Sequence, residues 1–366
     1  MSVLGELNLL PWALWALVAV IAVGLGFLAV VYRLQPVFLL PLAVGLLWGN
    51  LPQKDLAGLL VPFWQLLQGG LDCGLYPALI FLGWGAGANL GNLIAHPRQL
   101  LLGFLSFLAF LAVLLAGWGL GLPASQAGSV ALIGGGDGLS AAFLVSRLAP
   151  ELTGPIGLAA FTLVGLHFWW QPYLVRLFTT RKERLLRMPP LRKVSRRESL
   201  FFAAAGLLLT LILVPRAGLL TGMFFLGNLL KESGVVDRLA RTLANRLAEI
   251  MAMLLGLAVG SRCQAESLLS LTFVKIIGLG LAALFLATLV VILAIKALNL
   301  FTARKINPLV GAAALGLVPD AAHLVQIICR QEDPHGNIFP HALASNQAAL
   351  LTASLTAGLL WSILGG

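Results

Sequence analysis

Long uninterrupted apolar runs constrain this chain more than any other feature of its sequence. Several reach about 20 residues, the length with which an α-helix crosses a bilayer. None has the period of two that a transmembrane strand requires. Charged residues make up 10% of the chain, against about a quarter in soluble domains. The sequence therefore predicts an all-α polytopic membrane protein. The clearest runs are residues 10–32, 99–122, 155–178, 199–214 with its continuation, and 276–301.

The first apolar run is predicted to be a membrane helix and not a cleaved signal. Residues 1–9 contain Glu6 and no Lys or Arg, and the run is longer than the apolar core of a signal peptide. The predicted surroundings of this run are the lipid bilayer.

The net charge of +10 is concentrated in one stretch near the middle of the chain. A third of the 24 Lys and Arg residues lie between positions 181 and 197, opposed within that stretch by Glu183 alone. Such a bias predicts a cytoplasmic loop, and binding of anionic lipid or of an acidic partner subunit is the alternative. Because the loop lies between membrane spans, no nucleic acid is expected as a partner. The cations are Arg181, Lys182, Arg184, Arg187, Arg192, Lys193, Arg196 and Arg197.

Short sequence matches on either side of this loop predict an internal repeat. Residues 49–51 (Gly-Asn-Leu) recur at 227–229, and residues 141–145 align with 321–325, at offsets of 178 and 180. We predict a first transmembrane repeat at 1–178, a basic cytoplasmic loop at 179–197 and a second transmembrane repeat at 198–366.

Each repeat contains two glycine-rich interruptions in its apolar sequence. They lie at 79–94 and 128–148 in the first repeat, and at 254–271 and 308–329 in the second. Unpaired backbone groups are tolerated at membrane depth only where they line a cavity, and broken helices at matching places of two halves mark the binding sites of transporters. The sequence thus predicts discontinuous helices at the membrane midplane.

The interruption at 128–148 contains the sequence Gly-Gly-Gly-Asp-Gly, with Asp137 as its carboxylate. A carboxylate inside a membrane costs at least about 2.5–3.5 kcal/mol, so a functional role is the first hypothesis. Asp137 and the carbonyls of Gly135 and Gly136 are predicted to bind a hard cation such as Na⁺, and a proton is a second ligand for Asp137. The alternatives are that Asp137 caps a half-helix or pairs with Arg147.

Other polar residues lie at predicted membrane depth, and most of them have both a functional and a structural interpretation. Asn346 is predicted as a cation ligand at the start of the last helix, where Ser345 has helix capping as its alternative; Thr352 follows six residues later. Asn89 and Glu266 occupy equivalent repeat positions, and the alternative for Glu266 is an ion pair with Arg262. Asp320 has a pair with His323 as its alternative, and His167 is assigned to an interfacial aromatic belt.

The chain resembles a known family over most of its length. The segments 75–104, 133–161 (IGGGDGLSAAFLVSRLAPELTGPIGLAAF), 171–188, 228–250, 305–326 and 332–358 are similar to those of the β subunits of biotin-dependent, sodium-translocating decarboxylases, which act on oxaloacetate, methylmalonyl-CoA or glutaconyl-CoA. The resemblance implies two inverted-topology repeats, a homotrimer of β chains and a location in the plasma (inner) membrane of a bacterium or an archaeon.

The resemblance also implies partners and an activity. A carboxyltransferase and biotin-carrier α subunit would supply carboxybiotin, which is not attached covalently to this chain, and a small γ subunit would assist assembly. The β subunit would decarboxylate carboxybiotin and move Na⁺ out of the cell. Asp137 matches the essential aspartate of the family, with a catalytic and a cation-binding role, and Asn346 matches the asparagine of its last helix. Na⁺ is thus expected at Asp137 and Asn346.

Several positions depart from the family pattern. Ser140 keeps a hydroxyl where Thr is usual, Asn89 stands in place of an Asp, Thr352-Ala353 replaces Gly-Ser, and His323 replaces an Arg. The predicted cation site thus has Asp137, Gly135, Gly136, Ser140, Asn89, Asn346 and Thr352. Because the site has one carboxylate fewer, weaker Na⁺ dependence is expected. Coupling to protons in place of Na⁺ is the alternative.

Two other functions remain open on sequence grounds. One is a secondary transporter that moves an organic anion together with a cation and has no decarboxylase partners, which would use the same repeat architecture. The other is a subunit retained for assembly only. Neighbouring genes for a biotin carrier and a carboxyltransferase would favour the decarboxylase over both.

Overall fold

The computed structural model describes residues 9–51 and 54–365. Within them the chain forms nineteen α-helices joined by short turns. The helices of the first half are α1 (Leu9–Val31), α2 (Pro36–Gly49), α3 (Lys54–Asp72), α4 (Leu75–Gly87), α5 (Gly91–Ala95), α6 (Gln99–Gly119), α7 (Ala124–Ala131), α8 (Gly138–Leu148) and α9 (Thr153–Phe178). Those that follow are α10 (Arg181–Arg184), α11 (Arg196–Leu213), α12 (Thr221–Ser233), α13 (Asp237–Thr242), α14 (Ala248–Ser261), α15 (Ala265–Leu268), α16 (Leu271–Phe301), α17 (Pro308–Ala312), α18 (Asp320–Glu332) and α19 (Phe339–Leu364).

The predicted all-α polytopic membrane class is confirmed. Among the described residues, six helical segments are long and apolar enough to cross a membrane, and there are seven if the bent pair formed by α3 and α4 is one span. The run at 199–214 forms α11, which begins with Arg196, Arg197 and Glu198 and is not among the six. The prediction that no signal is cleaved concerns residues 1–9, and residues 1–8 lie outside the described part of the chain. The six segments are Trp12–Val31, Gln99–Gly119, Pro150–Phe178, Asp237–Ser261, Leu271–Phe301 and Phe339–Leu364.

Lipid-facing and buried surfaces differ clearly along these helices. Val20 and Val23 on α1 are 71% and 69% exposed, as expected for side chains that face acyl chains and not water. The centre of the molecule instead buries large aromatic residues completely, among them Phe81, Phe143 and Phe224. A second buried cluster lies around α17, α18 and the start of α19.

The helix pairs that form the core cross between the two halves of the sequence. Helix α2 packs on α14, and α4 packs on α12. The sequence offsets equate α2 with α12 and α4 with α14, so the two interfaces exchange equivalent helices. This is the pairing that a twofold relation between repeats produces. The inverted orientation and the repeat boundaries stay predictions.

Close approach at these interfaces depends on glycine. In α4, a Cβ at Gly85 would overlap the Phe224 carbonyl, and in α12 a Cβ at Gly227 would overlap the Leu82 carbonyl. Helices that have glycine at the contact can bring their backbones close together, and membrane helices gain van der Waals contact in this way.

The basic segment between α9 and α11 is fixed to the second half of the chain. Arg184 donates to Glu332 at 2.9 Å, and Arg187 pairs with Asp333 at 2.9 Å. The hydrogen bond from Arg187 holds the pKa of the Asp333 carboxyl below its usual range. These acidic partners lie more than 140 residues away in sequence. They compensate part of the positive charge that the loop's own sequence leaves unpaired.

Candidate functional site

The glycine-rich segment around Asp137 interrupts the helical backbone. Helix α7 ends at Ala131, a 3₁₀ turn spans Leu132–Gly135, and α8 begins at Gly138. Gly136 has φ of 67°, in the left-handed region that favours glycine. The same position also lacks room, because a Cβ would lie 2.8 Å from the Cβ of Leu315.

Asp137 is the buried N-cap of α8. Its side chain is 2% exposed and accepts hydrogen bonds from the backbone N–H groups of Leu139 at 3.1 Å and Ser140 at 3.2 Å. The Ser140 hydroxyl also donates to this carboxylate. Helix capping, the first alternative interpretation of Asp137, is therefore observed. The second alternative, a pair with Arg147, is not, because the Arg147 guanidinium lies over the rings of Phe143 and Trp361.

Capping leaves Asp137 with capacity for a cation. A carboxylate has about four acceptor positions, and the two N–H groups and the Ser140 hydroxyl account for three of them. The oxygen of Ser140, having donated its proton, keeps its lone pairs for a cation. An aspartate cap with Ser140 alongside is thus compatible with one further positive ligand.

The second interrupted segment touches the first beside Asp137. Between α17 and α18, the N–H of Gly316 donates to the carbonyl of Gly135 at 2.5 Å. A Cβ at Gly316 would lie 2.8 Å from the Cβ of Asp137. Two non-helical connections from the two halves of the chain thus meet at this carboxylate.

Asn346 comes from α19 to the same connection. It is fully buried, and its amide donates to the Leu315 carbonyl, adjacent to Gly316. In the described part of the chain its Oδ1 atom has no hydrogen-bond partner, and neither has the Oγ atom of Ser345. A buried oxygen without a donor is unfavourable by about 1–3 kcal/mol, and a cation or a water would satisfy it.

A cavity of about 240 Å³ adjoins Asp137, and we call it the aspartate cavity. Gly136, Asp137 and Asp320 line it, together with aromatic side chains of Phe38 and Trp84. Asp320 is exposed, at the start of α18, and the neighbouring His323 stacks on Phe339 with ring centroids 4.6 Å apart. From sequence, a pair with His323 is the alternative for Asp320, and its position beside Asp137 is not predicted.

Not every predicted ligand lies in the aspartate cavity. Thr352 is half-buried, donates to the Ala348 carbonyl at 2.9 Å, and lines a separate small cavity with Gly135 and Ser106. Asn89 is exposed and accepts from the Gly91 N–H at 3.1 Å. The structure therefore brings together Asp137, Ser140, Gly136 and, through Leu315, Asn346, and places Asn89 and Thr352 elsewhere.

Asn89 instead lies between two larger cavities. The loop cavity, of about 840 Å³, is lined by Arg192, Lys193 and Arg196 of the basic segment and reaches Asn89. The amide cavity, of about 390 Å³, is lined by Asn89, Asn245 and Gln347. The amide cavity also shares four lining residues with the aspartate cavity, so the three form a series from the basic loop to Asp137. The shared residues are Val37, Phe38, Trp84 and Val318.

Two further polar residues differ from their sequence interpretation. Arg262 pairs with Asp72 at 2.5 Å, and Glu266 is exposed. His167 was assigned to an interfacial belt, but its side chain is fully buried and packs edge-on against Trp170 at 4.3 Å. Neither residue contributes to the three cavities.

The fold and the buried, cavity-lining carboxylate define a polytopic α-helical membrane protein with a buried polar centre. The family profile described as "Na+-transporting oxaloacetate decarboxylase beta subunit" matches residues 15–364. The chain belongs to this family. Together with the apolar helices, this membership places the chain in the bacterial plasma membrane as a multi-pass protein.

Curated relatives support the same assignment. The chain is 35% identical over 357 residues to the glutaconyl-CoA decarboxylase subunit β of Acidaminococcus fermentans, covering 96% of this chain and 94% of the relative. It is 36% identical over 349 residues to the methylmalonyl-CoA decarboxylase subunit β of Veillonella parvula, covering 95% and 93%. It is 38% identical over 310 residues to the oxaloacetate decarboxylase β chain of Klebsiella pneumoniae, covering 83% and 71%.

Proposed function

We propose that this chain is the membrane subunit of a biotin-dependent decarboxylase complex, in which it decarboxylates carboxybiotin and couples that reaction to outward Na⁺ transport. Family membership supports the decarboxylase over the secondary transporter and over a subunit kept for assembly. The structural observation that carries the proposal is the meeting of two interrupted segments at buried Asp137, beside a cavity.

In this proposal Na⁺ is the cargo and oxygen atoms are its ligands. Hard cations prefer carboxylate, carbonyl and hydroxyl oxygens. Asp137 supplies the charge, Ser140 a hydroxyl oxygen, and Asn346 the buried Oδ1 atom that has no partner among the described residues. The carbonyls of Gly135 and Gly136 stay proposed ligands. Asn89 and Thr352 lie outside the aspartate cavity, so we propose that they act on the ion from a distance and do not contact it. The Gly135 carbonyl already accepts from Gly316.

Decarboxylation and ion release are linked through the protonation of Asp137. When the bond between the ureido nitrogen and the carboxyl carbon breaks, CO₂ leaves and the electron pair stays on the nitrogen. That nitrogen then takes up a proton, so the reaction consumes one H⁺ for each CO₂. Asp137, or a water beside it, delivers the proton while the site faces the cytoplasm. A proton that later binds Asp137 removes the negative charge that holds Na⁺, and the cation leaves outward.

The proposed complex has further components. We propose a carboxyltransferase and biotin-carrier α subunit as the source of carboxybiotin, a small γ subunit, and a homotrimer of this chain. Within one chain we propose the two inverted repeats at 1–178 and 198–366, with the segment 179–197 on the cytoplasmic side, where a soluble carrier reaches it.

A reconstituted complex tests the proposed function. The purified chain would be combined with its carboxyltransferase and biotin-carrier partner, and CO₂ release from the carboxylic substrate would be measured with and without Na⁺. We expect release that depends on this chain and rises with Na⁺. Release that proceeds equally well without this chain would contradict the proposal.

The basic segment is expected to face the cytoplasm. Cys73 is exposed, so labelling requires a Cys73→Ala background, in which Cys263 and Cys329 stay buried. In that background, Arg197→Cys is expected to resist an impermeant thiol reagent in intact cells and to react in inside-out vesicles. Brisk reaction in intact cells would reverse the proposed orientation.

Asn89→Asp tests how far a charge at the mouth of the amide cavity acts on the ion. Asn89 is exposed and lies outside the aspartate cavity, so a carboxylate there interacts with the cation mainly through solvent. We expect the Na⁺ concentration for half-maximal decarboxylation to fall by about two- to fourfold. A fall of a hundredfold would show that position 89 binds the ion directly, and an unchanged value would place it outside the ion path.

A further inference from the structure

Gln347 is a buried amide that the proposed ion site does not use. It follows Asn346 on α19, is 1% exposed, and its Oε1 atom has no hydrogen-bond partner among the described residues. Its side chain lines the amide cavity. Because an unsatisfied buried acceptor is unfavourable, this orphaned oxygen indicates a missing partner.

The walls of the amide cavity combine flat aromatic surface with amide groups. Phe38 and Trp84 provide the rings, and Asn89, Asn245 and Gln347 provide donors and acceptors. Small-molecule sites have this character, with apolar or aromatic walls and a few converging polar groups. A flat cyclic urea presents a carbonyl acceptor next to an N–H donor, and a primary amide can bond to both.

Charge changes sharply along the series of cavities. The loop cavity contains the cations Arg192, Lys193 and Arg196 and one carboxylate, Glu232. Among its described lining residues, the amide cavity has Glu249 as its charged group. An anionic group entering from the loop therefore leaves its cationic neighbours before it reaches Gln347, and Glu249 can accept from a ureido N–H.

The amide cavity also has the right place in the series. It meets the loop cavity at Asn89 and the aspartate cavity at Phe38 and Trp84. A ring held against these two aromatic side chains would lie next to the aspartate cavity, because the same two residues line both cavities. Its volume of about 390 Å³ accommodates a ligand of two fused rings.

We propose that the amide cavity binds the ureido ring system of carboxybiotin, with the Gln347 amide bonded to the ring and Trp84 packed against its face. The proposal rests on the proposed decarboxylase function and adds the location of its substrate. Gln347 holds the ring, and the proton is exchanged in the neighbouring aspartate cavity.

Kinetics with free carboxybiotin test this assignment. The probe is N-carboxylated d-biotin without a carrier protein, added to the purified membrane complex at saturating Na⁺. Gln347→Met keeps the side-chain length and removes the amide, and Trp84→Phe keeps an aromatic ring of smaller area. We expect each variant to raise KM for carboxybiotin by tenfold or more, with the Na⁺ concentration for half-maximal rate unchanged. Gln126→Met is the matched control, because Gln126 is half-buried and lines none of the three cavities.

The outcomes separate the two proposals. A raised KM with unchanged Na⁺ dependence in any variant that elutes as a single species supports the assignment. An unchanged KM in the monodisperse variants overturns it, while decarboxylation by the wild-type complex leaves the proposed function standing. A wild-type complex that releases no CO₂ from carboxybiotin overturns both.

Discussion

Replacing Asp137 by Asn is expected to abolish Na⁺-stimulated decarboxylation while the protein stays folded. The amide is nearly isosteric, and its oxygen can still accept from the N–H groups of Leu139 and Ser140, so the cap of α8 survives. It carries no charge for Na⁺ and cannot exchange a proton near neutral pH. Loss of a proton-transfer group slows reactions by about 100-fold or more, and the rate of CO₂ release at saturating Na⁺ measures it.

The control for this substitution is another carboxylate changed in the same way. Glu151 is exposed and lies outside the three cavities, so Glu151→Gln is expected to retain the wild-type rate. Elution of all three proteins as one species in detergent separates a lost function from a lost fold. Normal Na⁺-stimulated turnover in Asp137→Asn would remove Asp137 from the mechanism.

Substituting Leu for Gly85 or Gly227 is expected to prevent stable folding. Each glycine lies against a backbone carbonyl of the opposite helix, so a side chain forces α4 and α12 apart. Overpacking a close contact costs about 1–3 kcal/mol, and occasionally more; here the obstacle is backbone, which cannot move aside as a side chain can. The fraction of protein that elutes as a single species after mild heating measures the effect.

A glycine without neighbours provides the comparison for these variants. No heavy atom lies within 4 Å of the place where a Cβ would be built at Gly26 of α1. Gly26→Leu adds the same apolar side chain to a membrane helix, and we expect it to elute and melt like the wild type. Equal stability of Gly85→Leu and Gly26→Leu would contradict the described contact between α4 and α12.

The membrane class and the position of the main helices could be predicted from sequence because both depend on local properties. Apolar runs of spanning length form helices in lipid regardless of their neighbours, and α1, α6 and α16 follow the predicted runs within a few residues. Asp137 was similarly evident, since a carboxylate framed by glycines within an apolar stretch is costly without a function.

The grouping of site residues depends on tertiary contacts that the local sequence does not encode. Asn89 matches the repeat pattern, yet it lies in a different cavity from Asp137. Asp320 lies in the cavity of Asp137, although its local sequence indicated only a nearby histidine as partner. Gln347 follows the predicted cation ligand Asn346 but belongs to no recognisable sequence motif. Only its burial without a hydrogen-bond partner among the described residues indicates a functional role. Acidic partners of the basic segment were missed for the same reason, because they lie on α18 and just beyond it.

Simultaneous measurement of ion movement and CO₂ release tests the central claim most directly. The complex would be reconstituted into liposomes with the basic segment outward, supplied with carboxybiotin, and followed for CO₂ and for uptake of radioactive sodium. We predict that Na⁺ accumulates inside in a fixed ratio to CO₂ released, and that both stop in the Asp137→Asn variant. Rapid CO₂ release without Na⁺ uptake in sealed vesicles, or Na⁺ uptake without carboxybiotin, would contradict the coupling at Asp137.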